Sequence, residues 1–226
     1  MRKNVPDVYR LRSAMIGRTG LHNISGTRVA TDLAELPSIF MESFSTAGML
    51  PHLVSHHKTG KPPPEELLRA HQRQRSHFPS LETATQIHMA LLDQGLHSIS
   101  PADQGRINST QIYKDVTNGL DIFPAEPGTA PQTQFGHLYG YGASYYAYLF
   151  DRAIASRVWD IVFSRGAGGL DGLRGGGERM KNDLLRWGGS RDSWGMIGAL
   201  LKDDTIRAGG QAAMMRVGEW GVGDVK

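Results

Sequence analysis

Apolar residues recur at steps of three and four along almost the whole chain, and only Leu21 to Val29 could read as a short extended piece. That period belongs to helices buried along one stripe, so the chain is expected to fold as an all-α protein. Thr31 to about Thr46 carries Leu33, Leu36 and Phe40 inward, with Pro37 as a kink or early-turn residue. Pro62, Pro63 and Pro64 followed by Glu65 and Glu66 open a second helix, since proline and glutamate both suit a helix N-terminus. Ser80 is placed to cap a third, Leu81 to Leu96, which turns Ile87, Leu91 and Leu92 inward. The longest and most apolar helix is expected over Gly142 to Phe163, with others at Glu178 to Trp187, Asp192 to Leu201 and Gly210 to Trp220. Asp103 to Gln134, punctuated by Pro124, Pro127 and Pro131, is expected to be irregular.

Glycine is the one unusual count, 28 of 226 residues, where roughly 7% (about 16) is ordinary. Seven of the 28 lie between Gly166 and Gly177. Such a density predicts a flexible surface loop over 164–177. A phosphate-cradling loop would need a preceding strand and a closing Gly-Lys-Ser/Thr, and neither is there.

Apolar residues make up 39% of the chain and charged residues 21%, enough for a packed core. The formal charge of +3 is small and its basic residues are scattered, so nucleic acid is not an expected partner. Arg69, Arg73 and Arg75 on one helix read as a solvated face. With no cysteine there is neither a disulfide framework nor a thiolate metal site. No apolar run reaches the roughly 20 residues of a membrane span. Met1 to Arg12 is basic but lacks an apolar core, so it makes no convincing targeting signal.

Two constellations carry chemistry. In Thr31 to Glu42, the acids Asp32, Glu35 and Glu42 would share one helix face beside Leu33, Leu36 and Phe40. Carboxylates against an apolar stripe resist desolvation unless a cation or donors stand near; a plain solvated face is the other reading. In Phe135 to Tyr148, five tyrosines fall within ten residues, against 7 in the whole chain. Tyr141, Tyr145 and Tyr148 would align on a helix, Gly140 and Gly142 would leave the backbone free to pair with an extended peptide, and His137 stands beside them. Phenolic donors so placed can stabilise an oxyanion, and a tyrosine-rich packing helix remains equally open. His52 and His56 have helical metal spacing, but Leu53 occupies the place of a zinc peptidase's glutamate.

The segments 13–44, 63–68, 135–159, 184–194 and 217–221 together resemble the C-terminal part of the thimet-oligopeptidase family of zinc metallopeptidases. Residues 1–12 match nothing in that family, and 13–226 are expected to form the C-terminal part of its mostly helical catalytic domain. Carried over by position, Glu35 resembles the third zinc ligand, and Asp32 and Glu42 resemble carboxylates that orient a ligand imidazole. His137, Tyr145 and Tyr148 resemble the residues that stabilise the transition state, while Gly140, Tyr141 and Gly142 resemble the substrate-binding segment. The family's His-Glu-x-x-His is absent: counting back from Glu35 lands on Arg10, with Pro6 and Asp7 where histidine and glutamate would stand.

The resemblance implies peptide hydrolysis by zinc-activated water. It implies short peptides or the N-termini of mitochondrial precursors as substrates, and the mitochondrial matrix as the location. The missing N-terminal part of the same enzyme would be this chain's partner. This chain alone is expected to hold no zinc and to be inactive, whether by truncation or by degeneration. The alternative is a non-catalytic helical peptide-binding module. A chain of this extent is also expected to leave the apolar faces of 31–48 and 142–163 uncovered.

Overall fold

The computed structural model describes residues 14–45, 49–75, 78–100, 102, 105, 107–164 and 169–222. The described residues are all-α, with no strand among them. Residues 1–12, Thr46 and, in the glycine-rich stretch, 165–168 lie outside that set. No helix of the described residues is long and apolar enough to cross a membrane. The chain divides into two compact units, Met1–Pro79 with Phe150–Lys226, and Ser80–Leu149.

The first unit is built on a single apolar cluster. A 3-10 turn, Thr31–Leu33, leads into α1, Leu36–Glu42, and a second 3-10 turn, Ser43–Ser45. Pro37 therefore sits in the first turn of α1, where its missing N–H has no carbonyl to meet, and the continuous helix expected from Thr31 is broken before it. Leu33, Leu36 and Phe40 pack on Ile154, Val158, Trp159, Val162 and Phe163. The ring centroids of Phe40 and Phe163 are 4.8 Å apart, and those of Trp159 and Phe163 are 5.7 Å apart and stacked. Among the described residues of this unit, the apolar faces of 31–44 and 150–163, expected to be left uncovered, cover each other in one core, while 46–48 lie outside the described residues.

Short helices α2, Leu50–Leu53, and α3, Glu65–Arg75, follow α1, the latter starting where the Pro-Glu signal placed it.

The glycine-rich stretch corrects the sequence reading. From Gly169 it is no loop but helix: α8 runs Gly169–Asp183, with Gly176 and Met180 buried. A Cβ on Gly176 would lie 2.8 Å from the Phe163 ring, so the glycine lets the helix approach that ring closely. Arg179 ties the same helix to the Leu200 carbonyl at 2.7 Å. Tertiary contact has overridden a poor helix propensity.

The extended piece expected at Leu21 to Val29 is a 3-10 turn, His22–Ile24, with bends. Its backbone lies against Gly188, which has φ 49° and ψ −135° inside the 3-10 segment Leu185–Ser190. A Cβ there would stand 2.3 Å from the Ile24 carbonyl oxygen. Helices α9, Ser193–Leu201, α10, Asp204–Ala208, and α11, Gly210–Trp220, complete the unit. Asp192 and Asp203 cap the first two through the N–H groups of Gly195 and of Thr205 and Ile206.

The second unit starts on α4, Pro79–His97, and continues with α5, Ser109–Gly119. Asn108 caps α5 by accepting from the Gln111 N–H at 3.0 Å. A 3-10 turn, Pro131–Gln134, is pinned to α5 by the buried Gln132, whose Nε2 donates to Ser109 and Thr110. His88 meets Thr117 at 2.8 Å across α4 and α5, and burial lowers its pKa below the usual 6.5. The short α6, His137–Gly140, precedes a run of turns over 141–146. Helix α7, Ala147–Val158, begins five residues later than expected and ends in a π-helical turn, Trp159–Ser164. The boundary between the units falls within α7.

Candidate functional site

The residues singled out in the sequence form two groups, one in each unit. In the first unit, Glu35 stands at the N-cap position of α1 and is buried, although its side chain makes no capping bond. Asp32, in the preceding 3-10 turn, is half-buried, and Glu42 is exposed at the last residue of α1. The three acids do not share the face of one helix, because the helix is interrupted between Leu33 and Leu36.

A carboxyl not singled out in the sequence joins Asp32 and Glu35. Asp151, on α7, is fully buried, with the Glu35 and Leu36 backbone amides as its neighbouring donors. Burial is the largest cause raising its pKa well above the usual 3.8, and the charges of Asp32 and then Glu35 raise it further. The Glu35 and Leu36 amides pull the other way without offsetting this. Asp151 therefore holds its proton more tightly than an ordinary carboxyl, set against two carboxyl neighbours. The signal in the sequence was an acid set among apolar residues, Leu149-Phe150-Asp151-Arg152-Ala153-Ile154.

A buried carboxyl beside two others is a place where a cation or a further donor would be stabilising. The described residues nevertheless do not make a zinc site. No group of three His, Asp or Glu side chains among them is arranged to hold a metal ion. The donors near Glu35 are carboxyl oxygens, whereas catalytic zinc takes at least one nitrogen or sulfur ligand.

The second group converges. The His137 ring lies 5.7 Å from Tyr141, 5.4 Å from Tyr145 and 5.9 Å from Tyr148, measured between centroids. Tyr145 and Tyr148 are 5.0 Å apart, and Tyr141 and Tyr148 are 6.1 Å apart. The spacing that suggested one helix face thus brings the rings together, although Tyr141 and Tyr145 lie in turns ahead of α7. His137 is exposed, Tyr141 and Tyr148 are half-buried and Tyr145 is buried. The Tyr145 hydroxyl is directed at Gln86 Oε1, at 3.2 Å, and at Met89 Sδ, at 3.0 Å. Gly140 is exposed and Gly142 half-buried at either side of Tyr141. Tyr139, with 98% of its surface exposed, is outside the cluster. An exposed imidazole framed by phenols can bind a peptide carbonyl or donate to a developing oxyanion.

Asp93, the other residue the sequence reading passed over, is fully buried on α4 and accepts from two backbone N–H groups of this turn segment. Its signal was a charge on the inward face of an apolar helix, between Leu92 and Gln94.

The profile of peptidase family M3 matches residues 13–216. The chain belongs to that family, whose members are zinc metallopeptidases. Among individual relatives, the mitochondrial intermediate peptidase of Neurospora crassa is 47% identical over 210 residues, covering 92% of this chain and 26% of its own length. Mitochondrial intermediate peptidase 1 of Cryptococcus neoformans is 44% identical, covering 92% of this chain and 29% of its own length. The mitochondrial intermediate peptidase of Aspergillus clavatus is also 44% identical, covering 93% and 28%. The chain therefore spans between a quarter and a third of the relatives it matches.

Proposed function

We propose that residues 13–226 are the C-terminal part of the catalytic domain of a mitochondrial metalloendopeptidase. In that reading, residues outside these 226 supply the His-Glu-x-x-His motif, which does not occur here. Glu35 is the carboxylate this chain contributes to the metal, with Asp32 and Glu42 orienting its neighbours. The observation that carries the reading is the convergence of His137, Tyr141, Tyr145 and Tyr148 in a chain of the M3 family. The cluster holds an extended peptide at the Gly140–Gly142 backbone and presents phenol and imidazole donors to its scissile carbonyl. The relatives are named mitochondrial intermediate peptidases, which favours a mitochondrial place, and the family resemblance points to the N-termini of mitochondrial precursors as the substrate and to the matrix.

By itself the chain binds peptide without cleaving it, since only one of three expected metal ligands is present and no base stands ready for a water proton. The test uses two proteins, the chain alone and the chain joined behind the preceding part of the Neurospora crassa relative. Zinc content and cleavage of a quenched fluorescent octapeptide are measured for both, with and without chelator. The expected result is no tightly bound zinc and no cleavage for the first, and both for the second. Chelator-sensitive cleavage by the chain alone, or zinc binding without cleavage by the joined protein, would overturn the proposal.

A further inference from the structure

The segment that carries the aromatic cluster is short of regular structure. Between the end of α6 and the start of α7 the chain makes turns over 141–146. Ala143 within it has φ 61°, a left-handed conformation that costs a residue with a Cβ roughly 1–2 kcal/mol. A segment of this kind holds one shape only if its polar backbone groups are tied down. Beside the bonds that the Ser144 N–H and hydroxyl donate to the Tyr141 carbonyl within the turn, ties come from α4. Asp93 Oδ1 accepts from the Ala143 N–H at 3.0 Å, and Oδ2 accepts from the Tyr145 N–H at 2.9 Å. Gln94 Nε2 donates to the Ala143 carbonyl at 2.9 Å, so the strained residue is held on both sides.

The carboxylate is itself fixed. Asp93 is fully buried, and His97 Nδ1, one turn further along α4, is hydrogen-bonded to the Asp93 backbone carbonyl at 2.9 Å and stands 2.9 Å from Oδ1 as well. The same imidazole shapes the turn sterically, for a Cβ on Gly142 would lie 2.5 Å from His97 Nε2. Gln86 continues the row by accepting from the Tyr145 hydroxyl. Gln86, Asp93, Gln94 and His97 thus make one scaffold along α4, with the carboxylate at its centre. Hydrogen bonds to a buried carboxylate are the strong kind, and both oxygens are used.

We propose that Asp93, braced by His97, is the positioning residue of this site: its two oxygens fix the turn through Ala143 and Tyr145 and so hold Tyr145, Tyr148 and His137 in the arrangement that receives a peptide. The proposal rests on the peptide-binding reading above for its functional half, and on geometry alone for its structural half. Asp93 touches no substrate and acts only through the turn.

The test is made on the full 226-residue chain with Asp93→Asn, which keeps the size but replaces one acceptor with a donor facing an N–H. His97→Ala, at a partly exposed position, is the second variant, which leaves the buried carboxylate in place. Amide hydrogen exchange is read at Ala143 and Tyr145, with the Gln111 amide at the start of α5 as the internal reference. Affinity for a fluorescein-labelled octapeptide is read by anisotropy. For Asp93→Asn, exchange at the two turn amides is expected to rise about tenfold or more over the reference, the loss of one strong bond, with peptide affinity falling about tenfold. His97→Ala is expected to move both readouts in the same direction by a smaller factor. Unchanged exchange in both variants overturns the clamp, and faster exchange with unchanged peptide affinity overturns its positioning role. If the wild-type chain binds no peptide, the peptide-binding reading fails while the exchange data still decide whether Asp93 fixes the turn.

Discussion

Replacing Asp151 by asparagine should change how the stability of the first unit depends on pH. In the unfolded chain this carboxyl loses its proton above the usual pKa of 3.8, whereas the buried group keeps it well above that value. Over that window the folded state holds one proton more than the unfolded state, so stability falls as pH rises. The slope for one proton is about 1.4 kcal/mol per pH unit. Asparagine is neutral in both states and removes the slope while keeping the shape. His88 acts in the opposite sense: its folded pKa is lowered, so it contributes stability above the usual 6.5 that is lost as pH drops. That contribution is common to wild type and variant and cancels in their difference. Urea unfolding followed by tryptophan fluorescence suits the measurement, because Trp159 lies in the same cluster as Leu36. As pH rises above the usual 3.8, the variant should gain on wild type by up to about 1.4 kcal/mol per pH unit. With a urea slope of about 2 kcal/mol per molar, the gap between midpoints should widen by up to about 0.7 M per pH unit. The offset at any one pH decides nothing, since the amide has its own unmet hydrogen bonds. Parallel midpoint curves would refute the reasoning, because they would mean that Asp151 is ionised in the fold.

Phe40→Ala should cost the first unit about 3–5 kcal/mol in urea unfolding, the usual cost of emptying a fully buried phenylalanine site; a loss under 1 kcal/mol would mean that the Phe40, Trp159 and Phe163 rings do not form the core. Gly188→Ala should lower stability by about 2 kcal/mol or more, because a left-handed φ and a close carbonyl both oppose a Cβ, and a thermal melt within a degree of wild type would count against the backbone contact with Ile24. In the joined enzyme, Tyr148→Phe should leave zinc in place and lower turnover about a hundredfold, whereas Glu35→Gln should lower the zinc content itself. Equal turnover for Tyr148→Phe would remove that hydroxyl from the mechanism.

The helical class and several helices were legible because they rest on local signals: the Pro-Glu start of α3, the apolar stripe of α1 and the length of α4. Helix α8 was not, because its glycines look like loop composition, and only the approach of Gly176 to Phe163 shows why a helix needs one there. The interruption before α1 is likewise a matter of one residue, Pro37, which takes the early-turn role of the two that the sequence left open. In the second unit the steps of four and three from Tyr141 to Tyr148 announced a cluster that the structure brings together by turns as well as by helix. Asp93 and Asp151 escaped notice for the same physical reason. An acid within an apolar stripe has no meaning until its partner is known, and those partners are 50 residues away for Asp93 and over a hundred for Asp151.

That distance along the chain has a kinetic consequence. The bonds from Asp93 to Ala143 and Tyr145 span 50 and 52 residues, with α5, the Pro131–Gln134 turn and α6 in between. Helices form in about a microsecond or less from local contacts, while a contact across so long an interval must wait until the intervening chain has compacted. The aromatic cluster is therefore among the last features of the second unit to take shape during folding and among the first to loosen when that unit opens. A chain still folding thus has α4 before it has the cluster of His137, Tyr141, Tyr145 and Tyr148 rings.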